Sequence, residues 1–350
     1  MKAAIYNGPG NISIGETRSP QLSTDSVILK IKACAICGTD LKLYTVGNPR
    51  CKPPIILGHE LVGEVVEVGE AVEGFSVGDR VTMATSIACN RCGLCSRGLQ
   101  NLCRDLKCIS YDYDGAYAEL MAVPPQGVRG GNLIKVPPSV SDEAAALAEP
   151  LSCVVNAQKV AGVKAGDTVA VLSAGPLGCI NAEVAKAFGA RRVIMTEVVP
   201  GRIELARKLK DVEVVDVTDR DAPEEVRALT NGEGVDVVMA AAPSARAQAD
   251  APLMARKGGT VNLFGSLPKG KSTIEIDTRV IHYGQISITG ASDSRPCDVR
   301  DALNLLEAGK IDTDRIVTHR LPLERFIDGL ELMKQRVGLK IVVTPGGSNG

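Results

Sequence analysis

The sequence predicts an α/β fold in two domains, the first rich in antiparallel β-structure and the second a doubly wound parallel sheet. Three observations lead there. At 350 residues the chain is long enough for two domains, and its 45% hydrophobic content allows each a sizeable core. About the first 150 residues read as short alternating segments punctuated by Gly and Pro. Beyond them, short apolar strands alternate with helical patterns, which implies parallel strands with helices on both faces.

Taken in order, Val27, Leu29, Ile31 and Ala33 alternate with Ile28, Lys30 and Lys32, the pattern of a half-buried strand. Residues 61–68 and 80–83 repeat it, among Gly69, Gly74, Gly78 and the pairs Pro124-Pro125 and Pro137-Pro138. Residues 168–172 form an apolar strand ending in Ser173-Ala174-Gly175-Pro176-Leu177-Gly178. A helix follows, with Leu177, Ile180, Val184 and Ala187 on one face. Strands over 192–196, 212–217, 235–239 and 260–264 then alternate with helices over 201–209, 224–229 and 245–256. The C-terminal stretch holds two helices and a closing strand over 340–344. The chain has no internal repeat or low-complexity linker, and residues 346–350 are expected to form a frayed tail.

Forty Lys and Arg against 41 Asp and Glu leave a net charge of −1, with a pI near 6.4. Such a balance gives no electrostatic reason for nucleic acid or an anionic membrane to be the partner. Aromatic residues are 3% and Trp is absent, which argues against base-stacking platforms. No apolar run approaches the ~20 residues of a membrane helix. Met1-Lys2-Ala3-Ala4-Ile5-Tyr6 lacks the long apolar stretch of a signal peptide, so a soluble cytoplasmic protein is expected. In a reducing compartment the 11 cysteines point to metal binding or catalysis rather than disulfides.

Cys89-x2-Cys92-x2-Cys95-x7-Cys103 is the most specific local motif. Four thiolates complete a tetrahedral zinc shell and leave no open position, so this site is expected to be structural. Short spacing lets one loop wrap the ion at small cost in chain entropy. Four unrelated buried thiols, or an iron–sulfur cluster, are the alternatives. A second constellation is looser. Cys37-Gly38-Thr39-Asp40 reads as a loop after a strand, Gly58-His59-Glu60 opens the next strand, and Glu149 stands in Ala148-Glu149-Pro150-Leu151. Taken singly, Cys37 could be core filler, His59 a structural histidine, and Glu149 a helix-end carboxylate. Ser173-x-Gly175-x-x-Gly178, between strand and helix, reads as a dinucleotide turn with Ser in place of the first Gly. Pro176 and Leu177 lie in that turn, where the helix N-terminus would seat a pyrophosphate. Glu197, at the end of the next strand, is placed to grip ribose hydroxyls and to favour NAD over NADP. The nearby Arg202 tempers this, because an Arg can hold a 2′-phosphate.

These motifs occur in the order seen in zinc-containing medium-chain alcohol dehydrogenases, which the chain resembles over essentially its whole length. Val317-Thr318-His319-Arg320-Leu321-Pro322-Leu323-Glu324 and Gly338-Leu339-Lys340-Ile341 resemble the sorbitol (polyol) dehydrogenase branch. The resemblance implies a GroES-like catalytic domain from residues 1–150 and 291–350 around a Rossmann NAD-binding domain at 151–290. It implies two zinc ions per chain, one structural and one catalytic, and the cofactor NAD. Cys37 and His59 are then catalytic zinc ligands, Glu60 or Glu149 completes the set, and an open position takes water or substrate. Zinc lowers the pKa of a bound hydroxyl, the alkoxide expels hydride toward the nicotinamide, and Thr39 accepts or passes the proton. Thr39 could equally be a turn hydroxyl bonding its own backbone. Phe264, Gly265 and Thr289 match segments that line the nicotinamide, and Arg202 matches an Arg that accompanies NAD use.

Two positions depart from the pattern. Lys42 stands where many relatives carry the His that ends the proton relay, and a solvated Lys titrates near ~10.4. The proton is then expected to leave by water or the cofactor ribose, with Lys42 contacting cofactor or substrate. Ala291-Ser292-Asp293-Ser294-Arg295 replaces the Arg-Tyr pair of sorbitol dehydrogenases. An acidic, hydroxyl-rich wall suits a polyhydroxylated neutral or cationic ligand. The expected function is oxidation of a secondary alcohol, a sugar alcohol or related sugar, to a ketone. A threonine-type amino-alcohol dehydrogenase, a zinc-free quinone reductase, and a zinc-stapled NAD-binding protein without turnover are the alternatives. A homo-oligomer, tetramer or dimer, is expected, with residues 271–277, read as a strand, and the Ile286 region as interface candidates.

Overall fold

The computed structural model describes residues 1–346; the expected tail lies almost wholly outside them. The chain forms two compact units. The first comprises Met1–Ser152, Asp293–Ala308 and the chain from Val317 on, and the second Cys153–Ser292 with Gly309–Ile316.

The first unit is built on a seven-stranded sheet. Its path runs Leu133–Lys135, Arg80–Met83, Glu60–Val68, Val27–Ala35, Lys340–Thr344 and Val317–Pro322, with Leu120–Val123 also paired to Val27–Ala35. All pairs are antiparallel except Val317–Pro322 with Lys340–Thr344. The alternation at Val27–Ala35 sends Leu29 and Ile31 into the core, where they meet Leu61, Tyr117, Phe326 and Ile341. Two register shifts interrupt the pairing of Val27–Ala35 with Glu60–Val68. Such irregularities bend a strand and re-aim its side chains, and here they precede the ends that carry Cys37 and His59. A smaller sheet orders Asn11–Glu16, Lys2–Gly8 and Ile55–Ile56.

The second unit has six parallel strands, ordered Glu213–Asp216, Arg192–Glu197, Thr168–Leu172, Val235–Ala240, Ala255–Leu263 and Ser287–Gly290. Strand order reverses beside Thr168–Leu172, the topological switch at which doubly wound sheets bind ligands. The expected doubly wound sheet is therefore present, one strand longer than the alternation indicated.

Several local expectations are corrected. Residues 271–277 form no strand: Ile274 and Ile276 are only half-buried, and period-two alternation without a partner backbone cannot close a ladder. Asp277 instead caps the helix Thr278–Gly284 through the Arg279 N–H. Cys37 does not sit in a loop but is the N-cap of the helix Gly38–Val46. Val317–Pro322 adds a strand to the C-terminal stretch. Gly309–Ile316 lies with the second unit, although it follows the segment that rejoins the first; the Asp312 N–H donates to Glu183 at 3.1 Å and Ile311 is buried. Among the described residues no helix is long and apolar enough to cross a membrane.

One polar anchor fixes the second sheet. Asp236 accepts the Thr168 N–H at 2.7 Å and the Arg256 guanidinium at 2.7 Å. Burial alone would raise its pKa, but these two donors hold it below the usual carboxylate range. A carboxyl with a depressed folded pKa stabilises the fold above its unfolded value, and that contribution is lost as pH falls through the folded one. Asp236→Asn is expected to cost about 1–3 kcal/mol at neutral pH and to flatten the acid limb of stability, as read by urea unfolding at pH 7 and pH 3.

Candidate active site and metal centres

Two groups of potential metal ligands lie wholly within the first unit. The sulfurs of Cys89, Cys92, Cys95 and Cys103 are all within 4.8 Å of one another. Cys92 Sγ lies 3.5 Å from Cys95 Sγ and 3.9 Å from Cys103 Sγ. Tetrahedral zinc with bonds of about 2.3 Å sets its sulfurs roughly 3.8 Å apart, and a disulfide would bring them to about 2.05 Å. The spacing fits an ion and excludes a disulfide. Backbone N–H groups of Arg104 and Cys95 hold the Cys92 thiol down at about 6, while burial and the neighbouring sulfurs push Cys95 up to about 12. Four thiols so arranged cannot all ionise without a cation among them, which is what zinc supplies. Cys103→Ser is expected to remove one zinc per chain by metal analysis and to lower stability by about 2 kcal/mol or more.

The second group combines Cys37, His59 and Glu60, whose ligand atoms also lie within 4.8 Å of one another. Each is positioned by a distinct device. Cys37 caps its helix in a capping box in which its own N–H donates to Asp40 Oδ2 at 2.9 Å. His59 follows Gly58, which has φ +99° and where a Cβ would fall 2.8 Å from the Tyr117 nitrogen and 2.9 Å from Cys34 Sγ; only glycine lets the chain turn so close to that strand. Glu60, fully buried, is ion-paired through both oxygens to Lys340, equally buried. Lys340 also donates to the Ile36 carbonyl at 3.3 Å.

Asp40 organises the first two ligands. It is fully buried and accepts the Tyr117 hydroxyl at 2.7 Å, and its other oxygen lies 3.8 Å from His59 Nδ1. His59 Nδ1 is buried without a hydrogen bond. Burial alone would lower the His59 pKa, yet Cys37 and Asp40 raise it well above the usual histidine value. The cluster thus concentrates negative potential on a buried imidazole, and a divalent cation satisfies such a donor set better than a proton does. A thiolate, an imidazole and a carboxylate, three ligands rather than four, match the donor set of a catalytic zinc.

Glu149, in the first turn of Ala148–Ala161, does not join this group; its carboxylate lies within 4.8 Å of that of Asp293 instead. Burial, with help from Glu60 and Asp293, pushes its pKa up to about 7. Of the two carboxylates left open by the sequence, Glu60 is the one grouped within 4.8 Å of the sulfur and imidazole. Thr39, half-buried in the first turn after Cys37, makes no side-chain hydrogen bond among the described residues. Lys42 is exposed on the same helix. Sequence reasoning missed the roles of Asp40, Tyr117 and Lys340. The acid three residues after Cys37 was a legible capping-box signal; the other two come from distant segments and gave none.

In the second unit, the turn Ser173–Gly178 joins Thr168–Leu172 to the helix Pro176–Ala187, whose N-cap is Gly175. No side chain caps that helix, so its N–H groups are available to an anion. A Cβ on Gly178 would lie 1.9 Å from the Ser173 carbonyl oxygen, so the cradle requires glycine. Pro176 and Leu177 form the first turn of the helix. Glu197 is buried and accepts the N–H groups of Ala174 at 2.7 Å, Val198 at 2.7 Å and Val199 at 3.0 Å. It therefore staples the turn to the end of its own strand. The Arg202 guanidinium packs against Gly175. Phe264 and Gly265 follow the strand Ala255–Leu263, and Thr289, on Ser287–Gly290, donates to the Val261 carbonyl at 3.1 Å.

Comparison with known proteins agrees with this geometry. Residues 23–138 match the family model of the alcohol dehydrogenase GroES-like domain, and residues 176–308 that of the zinc-binding dehydrogenases. Sorbitol dehydrogenase of Bacillus subtilis is 34% identical over 99% of this chain and 97% of its own. L-threonine 3-dehydrogenase of Pyrococcus horikoshii is 36% identical over 98% of each chain. A Sinorhizobium meliloti protein whose crystal structure holds NADP superposes with a TM-score of 0.89 at 32% identity, over 98% of this chain and 99% of that one. The chain belongs to the zinc-containing medium-chain alcohol dehydrogenases, with a GroES-like domain and a Rossmann domain. Its relatives include both polyol and amino-alcohol enzymes.

Tyr117→Phe removes one hydroxyl from behind the metal ligands. It is expected to weaken zinc binding at the Cys37–His59 site about 10-fold in competition with a chromophoric chelator, while the four-cysteine site keeps its ion. Gly178→Ala is expected to abolish NAD binding in a fluorescence titration, because the backbone must move to admit the methyl group.

Proposed function

We propose that this protein oxidises a small secondary alcohol bearing several polar groups to a ketone, using one catalytic zinc and NAD. The grouping of Cys37, His59 and Glu60 within 4.8 Å carries the reading, since a thiolate, an imidazole and a carboxylate make three protein ligands, one short of a closed tetrahedral shell. Zinc supplies a Lewis acid that makes the alcohol acidic, and NAD supplies the hydride acceptor. The rest is done by the chain. Cys37, His59 and Glu60 hold the metal, and Asp40 and Tyr117 fix the imidazole. Lys340 neutralises Glu60 and limits its swing. The free Thr39 hydroxyl takes the alcohol proton, which then passes to water or the cofactor ribose. The turn 173–178 seats the pyrophosphate, and Glu197 favours NAD, with Arg202 at the adenosine end.

The sequence branch favours a sugar alcohol. A threonine-like amino alcohol is the second reading, supported by Asp293, whose carboxylate beside Glu149 suits an ammonium group. We further propose a cytoplasmic homo-oligomer joined along the edge strand Ser287–Gly290, where Ile288 is 39% and Tyr283 67% exposed.

The test is NADH appearance on a panel of polyols, sugars and amino alcohols, before and after complete zinc removal. Turnover that survives zinc removal overturns the reading. Thr39→Val is expected to lower kcat about 100-fold or more with NAD affinity unchanged in a separate titration. Lys42→Ala should alter the pH profile of kcat if Lys42 takes part.

A further inference from the structure

A band of polar side chains in the first unit leads away from the metal ligands and ends on an arginine that no acid neutralises. The carboxylate of Asp293 lies within 4.8 Å of that of Glu149 and accepts a short hydrogen bond from Ser86 Oγ. Ser86 Oγ is 3.6 Å from Cys108 Sγ, and Cys108 Sγ is 3.7 Å from Arg50 Nη2. The Arg50 guanidinium stands 5.6 Å above the Tyr111 ring. Tyr111 closes the band, because its phenol is within electrostatic reach of Cys37 and Asp40.

Arg50 is unusual in this setting. Among the described residues it has no ion-pair partner; its guanidinium contacts only the Cys108 sulfur and the Tyr111 ring. Burial raises the Cys108 pKa, so that thiol stays neutral and offers no counter-charge. Stacking on an aromatic face fixes the plane of a guanidinium while leaving its edge donors open, which suits bidentate capture of a carboxylate or phosphate. The opposite side of the band is acidic, with Asp293 held at φ +59°, a left-handed conformation uncommon outside glycine. One side therefore repels anions and the other lacks one.

We propose that Arg50 is a specificity-determining residue of the alcohol site and receives an anionic group, a carboxylate or a phosphate, carried by the substrate. The Asp293–Glu149 side then takes a hydroxyl or ammonium group of the same molecule. This rests on the alcohol-oxidation reading above and narrows its substrate from neutral polyols to hydroxy acids or phosphorylated alcohols. Arg50 is a binding residue here and takes no part in proton or hydride transfer.

The experiment uses the zinc-loaded enzyme with NAD and three alcohols of similar size: 3-hydroxybutyrate, propane-1,2-diol 1-phosphate and the neutral butane-2,3-diol. One of the two anionic alcohols should be oxidised with the highest kcat/KM, and which one separates carboxylate from phosphate. Arg50→Gln should raise KM for that substrate roughly 10- to 100-fold and leave the neutral diol within about 2-fold, with Arg50→Lys between. Calorimetric binding of the matching inert ligand, 3-hydroxy-3-methylbutyrate or inorganic phosphate, should weaken in parallel. An unchanged melting temperature separates this from a packing role for the Arg50–Tyr111 stack. Preference for the neutral diol, or an equal loss on all three substrates, overturns the proposal. Arg50-dependent binding of the inert ligand without NADH from any alcohol would support Arg50 while overturning the dehydrogenase reading.

Discussion

The ion pair between Glu60 and Lys340 joins two residues far apart in sequence, both almost wholly buried. Isolated in the interior, either charge would cost several kcal/mol, and removing one partner from such a pair costs about 3–5 kcal/mol. The pair therefore acts as a registration device more than a source of net stability. It secures the start of Glu60–Val68, which carries one metal ligand and follows another, against Lys340–Thr344. That closing strand in turn pairs with the end of Val27–Ala35, through Val342 with Ala35 and Val343 with Cys34. Ala35 faces Glu60 on the other side, and Cys37 follows two residues on. Three strand ends are thus held in register around one buried ammonium, and the ligand atoms converge because of it.

The surrounding charges follow from that choice. A buried carboxylate already neutralised by lysine can contribute an oxygen without adding a full negative charge. Asp40, in contrast, works behind His59 and is stabilised by the Cys37 N–H and the Tyr117 hydroxyl. The Glu149 carboxyl is pushed up to about 7 by its burial. Three carboxyl groups in one neighbourhood are thus given three different surroundings: a lysine for Glu60, a backbone N–H and a phenol for Asp40, and burial beside other acids for Glu149. The four-cysteine loop solves a different problem. Its four sulfurs would complete the shell of an ion and leave no position for a reactant.

Much of this was legible in the sequence. The four-cysteine spacing, the glycine turn and the alternation of strand and helix are local patterns, and local patterns survive translation into structure. The candidate ligands Cys37, His59 and Glu60 were named mainly through family resemblance, because Cys37 lies in a different segment from the other two and their meeting is a property of the sheet. What failed was contextual. The alternation in residues 271–277 resembled a strand because periodicity records which side chains face a core, not whether a backbone partner exists. Gly38–Val46 was concealed by a motif short enough to read as a turn. Lys340, Tyr117 and Arg50 carry no local signature, and only the tertiary structure shows that one is paired, one is a hydrogen-bond anchor and one is left without an acid.

The route of the chain through the first sheet has a consequence for biosynthesis. Val27–Ala35 emerges from the ribosome before the second unit, but the neighbour of its Cys37-bearing end, Lys340–Thr344, emerges after it. The second unit, nearly continuous from Cys153 to Ser292, can complete its parallel sheet while that edge is still waiting. Until then the nascent first unit carries an apolar edge and a row of reduced thiols with no closing strand, the kind of surface that recruits chaperones. The half of the enzyme begun first is completed after the second unit, and its metal site can form only once Lys340–Thr344 has been made.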